Sequence, residues 1–403
     1  MAAAASSETT ATSSTDITGP VHGHDFEDLC TYEWKNTPLK DRTPTIYVPG
    51  YARRFNKPAL PCKIDQDADQ AWKDQHISRV FDFQFEPLFQ AVSVMNPNVQ
   101  FHDIDVIVRR STLLLLLQVA EAKDRQTFDL DLKMAGKTLF IQGKGAGRVN
   151  AAKNSYGRNF EDQFTESTEP TEDTGADGYH RVLRYKLGPL NLVVRLETDA
   201  FLNEVEAPVK ESEDTTFRGK RTIDASSQHL GIPHTRATSI VAGGRYIPQS
   251  LVTELKTTNT GTEHMVKKCG SQLWASQYDT IIIGDRKSGE TDQSVRLTSD
   301  ERREAAEKLR LDKEEAEAGG YAMFYSANVK DIRRDCSQWE DSNQAGLQKF
   351  VGLLKGLVEA VSKVKGGKVL LRKAHRTGPL ELYKGGEAMT DALPKEIIDV
   401  FWV

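Results

Sequence analysis

The chain has 403 residues, 38% of them apolar and 28% charged, with a net charge of −5 at neutral pH. That length can bury a sizeable core within one large α+β unit. The acidic balance excludes the global basic character that advertises nucleic-acid binding, although a local groove can be basic on an acidic protein.

The first 19 residues, MAAAASSETTATSSTDITG, are rich in Ala, Ser and Thr, and no Lys or Arg precedes Lys35. This composition predicts a disordered tail over 1–22 with no targeting peptide, followed by a single domain over 23–403. Cys30, Cys62, Cys269 and Cys336 form no C-x-x-C pair and are too few for a disulfide framework. A reducing compartment, nuclear or cytoplasmic, is therefore expected, with no zinc cluster.

TPTIYVPGY (43–51) reads as a short strand ended by Pro-Gly, and 67–92 as a region containing helix. FHDIDVIVRRSTLLLLLQVAEA (101–122) changes from a β-rich run to a helical one, with Ser111 and Thr112 as candidate N-caps. Its apolar run is too short to span a bilayer, so no membrane association is expected. Residues 127–143 alternate about a Gly-Lys turn, as in a β-hairpin. The Gly-rich stretch after it lacks the G-x-x-x-x-G-K-[ST] pattern of a P-loop. An acidic, turn-rich loop over 162–178 precedes two strands joined at Gly188-Pro189.

SLVTELKTT (250–258) reads as a strand, 264–277 as a helix and 279–286 as a buried strand. A charged helix is predicted over 298–320, with capping-box spacing at Thr298 and Glu301. The segment 344–367 carries an apolar stripe of Leu347, Val351, Leu354, Val358 and Val361. KVLLRK and LELYK close the chain as a strand pair. The sum is an α+β fold with a mixed β-sheet core flanked by helices.

Two strands carry chemistry. Residues i and i+2 of a strand share a face, which pairs Glu254 with Lys256 and Glu197 with Asp199. Two carboxylates on one face of an apolar strand repel each other and lose solvation when buried; a divalent cation relieves both costs. Mg²⁺ and Mn²⁺ favour such oxygen ligands, so Asp199 and Glu254 on adjacent strands could share one. Lys256 would then orient a water or stabilise charge on a phosphoryl group. Any one E-x-K or E-x-D is more often a surface pair; the order of the two motifs and their apolar surroundings raise the functional reading. An acid on one strand followed by E-x-K on the next is the PD-(D/E)XK nuclease arrangement.

With these residues the chain resembles the DXO family of decapping nucleases, a divergent PD-(D/E)XK branch marked by five ordered motifs. IDVIVRRSTL resembles the first, with Arg110 or, as the alternative, Arg109. YGRNFE resembles the second, with Gly157, Phe160 and Glu161. RLETDAF matches the third through Glu197 and Asp199, and ELK the fourth through Glu254, Leu255 and Lys256. SQLWASQYDTIIIGDR resembles the fifth, with Gln272, Gly284 and Arg286. Arg158 and Thr198 depart from positions usually hydrophobic, and the acidic loop after Glu161 would sit where it could repel RNA.

The resemblance implies a PD-(D/E)XK-like fold and hydrolysis at RNA 5′ ends that bear incomplete or non-standard caps, nicotinamide-type caps included, in some members with 5′–3′ exonuclease activity. It implies Mg²⁺ or Mn²⁺ held by Glu161, Asp199, Glu254 and the Leu255 carbonyl. Glu197 would bind a second metal or its water, Lys256 and Gln272 would position the water and the scissile phosphate, and Arg110 would hold an RNA phosphate. A 5′–3′ exoribonuclease is an implied partner. The main alternative is a degenerate member that binds RNA or a nuclease partner without cleaving. A helical diphosphate enzyme is disfavoured because the chain has no Asp-Asp pair.

Overall fold

The structure is a computed structural model, and it describes residues 9–10, 17–35, 43–68, 71–72, 75–80, 82–144, 148–149, 155–170, 177–205, 230–286 and 318–403, with scattered positions of 301–317. Most of the predicted tail, part of the acidic loop and most of the charged helix over 298–320 lie outside the described residues.

The chain runs through β1 (Gly23–Trp34), β2 (Arg54–Phe55), β3 (Val106–Arg109), α1 (Arg110–Ala120), β4 (Phe128–Ala135), β5 (Thr138–Gly143) and α2 (Gly157–Phe164). It continues through β6 (Asp177–Leu187), β7 (Leu190–Glu197), β8 (Ala200–Phe201), β9 (Val252–Thr258), α3 (Thr262–Ser276), β10 (Thr280–Asp285) and β11 (Ser326–Asp331). It closes with α4 (Arg333–Ser342), α5 (Gln344–Ser362), β12 (Lys368–Lys373) and β13 (Glu381–Lys384).

The expected mixed β-sheet core is present and is divided between two principal mixed sheets. Among the described residues an eleven-stranded sheet includes the order β13-β12-β4-β5-β3-β7-β6-β1, and a six-stranded sheet includes β2-β8-β9-β10-β11. The reason lies in the short link Thr198-Asp199. β7 pairs with β3 and β6 in the large sheet, and two residues later β8 pairs antiparallel with β9 in the small one.

β3 and β10 read as continuous apolar runs because each is buried on both faces. Val106 and Val108 enter one core with Leu113 and Leu116 of α1, whereas Ile107 enters a second with Phe89 and Phe140. Ile281 and Ile283 join the first core; Ile282 joins a third with Leu255 and Phe160. The hairpin, the strand pair at Gly188-Pro189 and the stripe of α5 are borne out.

Two boundaries differ from expectation. α1 begins at Arg110 with Arg109 at the N-cap and no side-chain cap, so Ser111 and Thr112 fall inside the first turn, where the Thr112 hydroxyl accepts the Arg109 Nε proton at 2.9 Å. The tail is already packed by Val21, which is buried and whose N–H donates to Gln344 Oε1 at 2.7 Å. Among the described residues no helix is long and apolar enough to cross a membrane.

Candidate active site at the seam between the sheets

Asp199 occupies the seam between β7 and β8, and its Oδ2 accepts the Leu255 N–H at 2.9 Å. That bond fixes the third motif against the fourth: Asp199 does lie beside Glu254. Glu254 is buried on β9, and the parallel pairing of β9 with β10 puts it opposite Ile281. Lys256, two residues on, turns its ammonium back to Glu254 Oε1, donates to the Leu255 carbonyl at 3.0 Å and stands 3.7 Å from Asp199 Oδ2.

α3 delivers Gln272, whose Nε2 donates to Glu254 Oε1. α1 delivers Arg110, whose Nη1 donates to Glu254 Oε2 at 3.1 Å and to Ser276 Oγ at 2.8 Å. Arg110, the residue expected at an RNA phosphate, is thus directed at the acidic centre through Glu254. Arg109, its alternative, is turned to Thr112.

Glu161 comes from α2, a helix capped from a distance. Asp67 accepts the Asn159 N–H at 3.0 Å and the Ser155 hydroxyl at 2.6 Å, so a carboxylate meets the electropositive helix start. Phe160, fully buried, stacks between Phe164 and Phe324 at 4.3 and 5.3 Å. Gly284 of the fifth motif is required by this packing, since a Cβ there would lie 2.3 Å from the Phe160 ring. Arg286 stacks over Tyr156 at 4.8 Å, at the foot of the same helix.

The charges explain the chemistry. Burial pushes the Glu161 carboxyl up to about 9, reinforced by Asp199, Glu254 and Glu197. Burial raises Asp199 to about 6, again with Glu254 adding to the effect. Burial would raise Glu254 too, but Lys256 and Arg110 outweigh it and hold that carboxyl below its usual range. Lys256 is held charged well above the ordinary lysine range, because Glu254 and Asp199 overcome its own desolvation. The acidic side chains of the centre outnumber its two basic ones, and burial together with this crowding favours the protonated form of Glu161.

These residues fit a hard divalent cation by chemistry. The donors are carboxylate and carbonyl oxygens, and the Lys256 ammonium already draws Glu254, Asp199 and the Leu255 carbonyl toward one positive charge. Among the described residues no three Asp, Glu, His or Cys side chains stand in ready-made metal-binding geometry. A cation held by these oxygens would compete with the Lys256 ammonium for them.

The motif departures also find a physical reading. The Thr198 hydroxyl, where an apolar side chain is usual, accepts from the buried Tyr278 hydroxyl at 3.1 Å, and that hydroxyl also reaches the Glu197 carbonyl at 3.2 Å. The described part of the acidic loop is partly neutralised: Asp162 pairs with Arg53 at 3.4 Å, and Glu166 with Arg54 of β2. Glu197 stays at the exposed rim. Asp67, Ser276 and Tyr278 were missed from the sequence. The only signal for Ser276 was its spacing of one helical turn from Gln272.

The chain has an α+β fold of two mixed sheets flanked by helices, with a Glu, Asp, Glu-x-Lys cluster at their seam. The chain belongs to the family described as a domain of unknown function (DUF8563), whose profile matches residues 7–308. No curated protein sequence matches it. Solved structures of the same fold include S. pombe Rai1, at 14% identity and TM-score 0.51, with 94% of this chain and 99% of that chain covered. Candida albicans Rai1 in complex with pU5-Mn²⁺ matches at 10% identity and TM-score 0.50, covering 98% and 99%. K. lactis Dxo1 in complex with manganese matches at 9% and 0.50, covering 95% and 96%. The expected likeness to the DXO family holds at the level of the fold.

Proposed function

We propose that this chain is a metal-dependent hydrolase of RNA 5′ ends, removing incomplete or non-standard caps, nicotinamide-type caps among them, by water attack on a phosphodiester or pyrophosphate bond. The observation that carries the reading is the meeting of Asp199 and Glu254, from two separate motifs, at the Lys256 ammonium, with Glu161 of a third motif within electrostatic reach of all three. A likeness in fold to proteins solved with pU5-Mn²⁺ and with manganese supports it.

Glu161, Asp199, Glu254 and the Leu255 carbonyl would hold Mg²⁺ or Mn²⁺. When bound, the cation supplies Lewis acidity toward the phosphorus centre. Lys256 and Gln272, now donating to Glu254, would donate to the water and to phosphate oxygens as charge develops on them. Glu197, at the exposed rim, would orient water or a second cation. The resemblance extends the reading to 5′–3′ exonuclease activity, to a 5′–3′ exoribonuclease partner and to a nuclear or cytoplasmic location.

The test uses 5′-end-labelled RNAs with a triphosphate, an unmethylated cap and a nicotinamide-type cap, incubated with Mn²⁺ and then with EDTA. Metal-dependent release of label, abolished by Glu254→Ala with RNA affinity retained, is expected. RNA binding without release from any substrate would instead favour a non-cleaving binding protein.

A further inference from the structure

Four residues close a ring of hydrogen bonds behind the acidic centre, one link of it through the Gln272 backbone carbonyl. Arg110 Nη1 donates to Glu254 Oε2 at 3.1 Å and to Ser276 Oγ at 2.8 Å. The Ser276 hydroxyl in turn donates to the Gln272 carbonyl at 2.7 Å, and Gln272 Nε2 returns to Glu254 Oε1. Ser276 is fully buried at the end of α3, and Arg110 keeps only 15% of its side chain exposed.

We propose that Ser276 is a positioning residue that holds Arg110 on the inner oxygen of Glu254, leaving Oε1 as the only oxygen of that carboxylate turned to the reacting centre. This inference rests on the proposed hydrolase reading. A buried guanidinium needs acceptors for its N–H groups, and one left without a partner turns toward water. The Ser276 oxygen is the neutral acceptor that holds Nη1 inside beside Glu254 Oε2. Because the same hydroxyl donates to the Gln272 carbonyl, one small side chain sets Arg110, Glu254 and the last turn of the Gln272 helix together. Arg110 therefore acts on the centre through Glu254.

The reading distinguishes Ser276 from a residue that merely packs. Ser276→Ala removes the acceptor at little cost in volume, and Ser276→Thr restores it. Labelling of Arg110 by phenylglyoxal, followed by peptide mass spectrometry, reports whether the guanidinium is held, with no need for catalysis. Slow labelling is expected in the wild type and in Ser276→Thr, and labelling faster by about tenfold in Ser276→Ala, the size associated with losing one hydrogen bond to a charged group. Turnover of capped RNA with Mn²⁺ should fall by about tenfold in Ser276→Ala with KM nearly unchanged, and return in Ser276→Thr. Unchanged labelling in a folded Ser276→Ala protein overturns the proposal, as does faster labelling with unchanged turnover. If the wild type cleaves no RNA, the hydrolase reading fails while the labelling still decides whether Ser276 holds Arg110.

Discussion

Replacing Lys256 by Met removes the ammonium from among Glu254, Asp199 and the Leu255 carbonyl while keeping much of the side chain's length. Stripping one partner from a buried ion pair costs about 3–5 kcal/mol. Here Lys256 keeps 25% of its side chain exposed, and Glu254 retains Arg110 and Gln272. Discounting for both, the cation-free protein should lose about 2 kcal/mol. A divalent cation then meets no competing positive charge. Added at roughly 100 times its Kd it should contribute about 2.7 kcal/mol, more than replacing the loss. Urea unfolding of wild type and Lys256→Met, each in EDTA and in Mn²⁺, reads both effects. Equal stability of the two proteins in EDTA would refute the ion-pair argument. A Mn²⁺ gain absent from Lys256→Met would refute the idea that lysine and cation compete for one place.

Two further outcomes follow from the same geometry. The folded-state carboxyls of Glu161 and Asp199 lie above the ordinary carboxylate range, at about 9 and about 6, so the folded chain binds protons that the unfolded chain releases. Stability of the cation-free protein should therefore fall as pH rises from the ordinary carboxylate range toward about 9, and Mn²⁺ affinity should rise over the same window with proton release, both measurable by calorimetry in paired buffers. A pH-independent Mn²⁺ affinity would count against Glu161 as a ligand. Gly284→Ala would drive a Cβ to 2.3 Å from the Phe160 ring. A cost of about 1–3 kcal/mol and a weakened Mn²⁺ affinity are expected as the α2 turn carrying Glu161 shifts; an unperturbed melt would show that Phe160 yields freely.

The legible parts of the chain were those with a local period. Glu254 and Lys256 share a face because strand side chains alternate, and they do meet. The opposing burial of Val106 and Ile107 was hidden in one apolar run, since a strand covered on both faces carries no alternation. The split into two sheets turns on Thr198-Asp199, two residues with no breaker signal of their own. Asp67 caps the helix of Glu161 from about ninety residues upstream, a contact that only the tertiary fold creates. Arg110 was legible as a charged residue at a strand–helix junction, but its direction was not, because the Ser276 hydroxyl that holds it lies on another element.

On the proposed reading Glu161, Asp199 and Glu254 would form one divalent-cation centre. Titration of Mn²⁺, followed by electron paramagnetic resonance, into the wild type and Glu254→Ala tests it most directly. A tight site in the wild type that is lost in Glu254→Ala, while the variant stays folded, is expected. Equal Mn²⁺ binding by the two proteins, or none by the wild type, would contradict it.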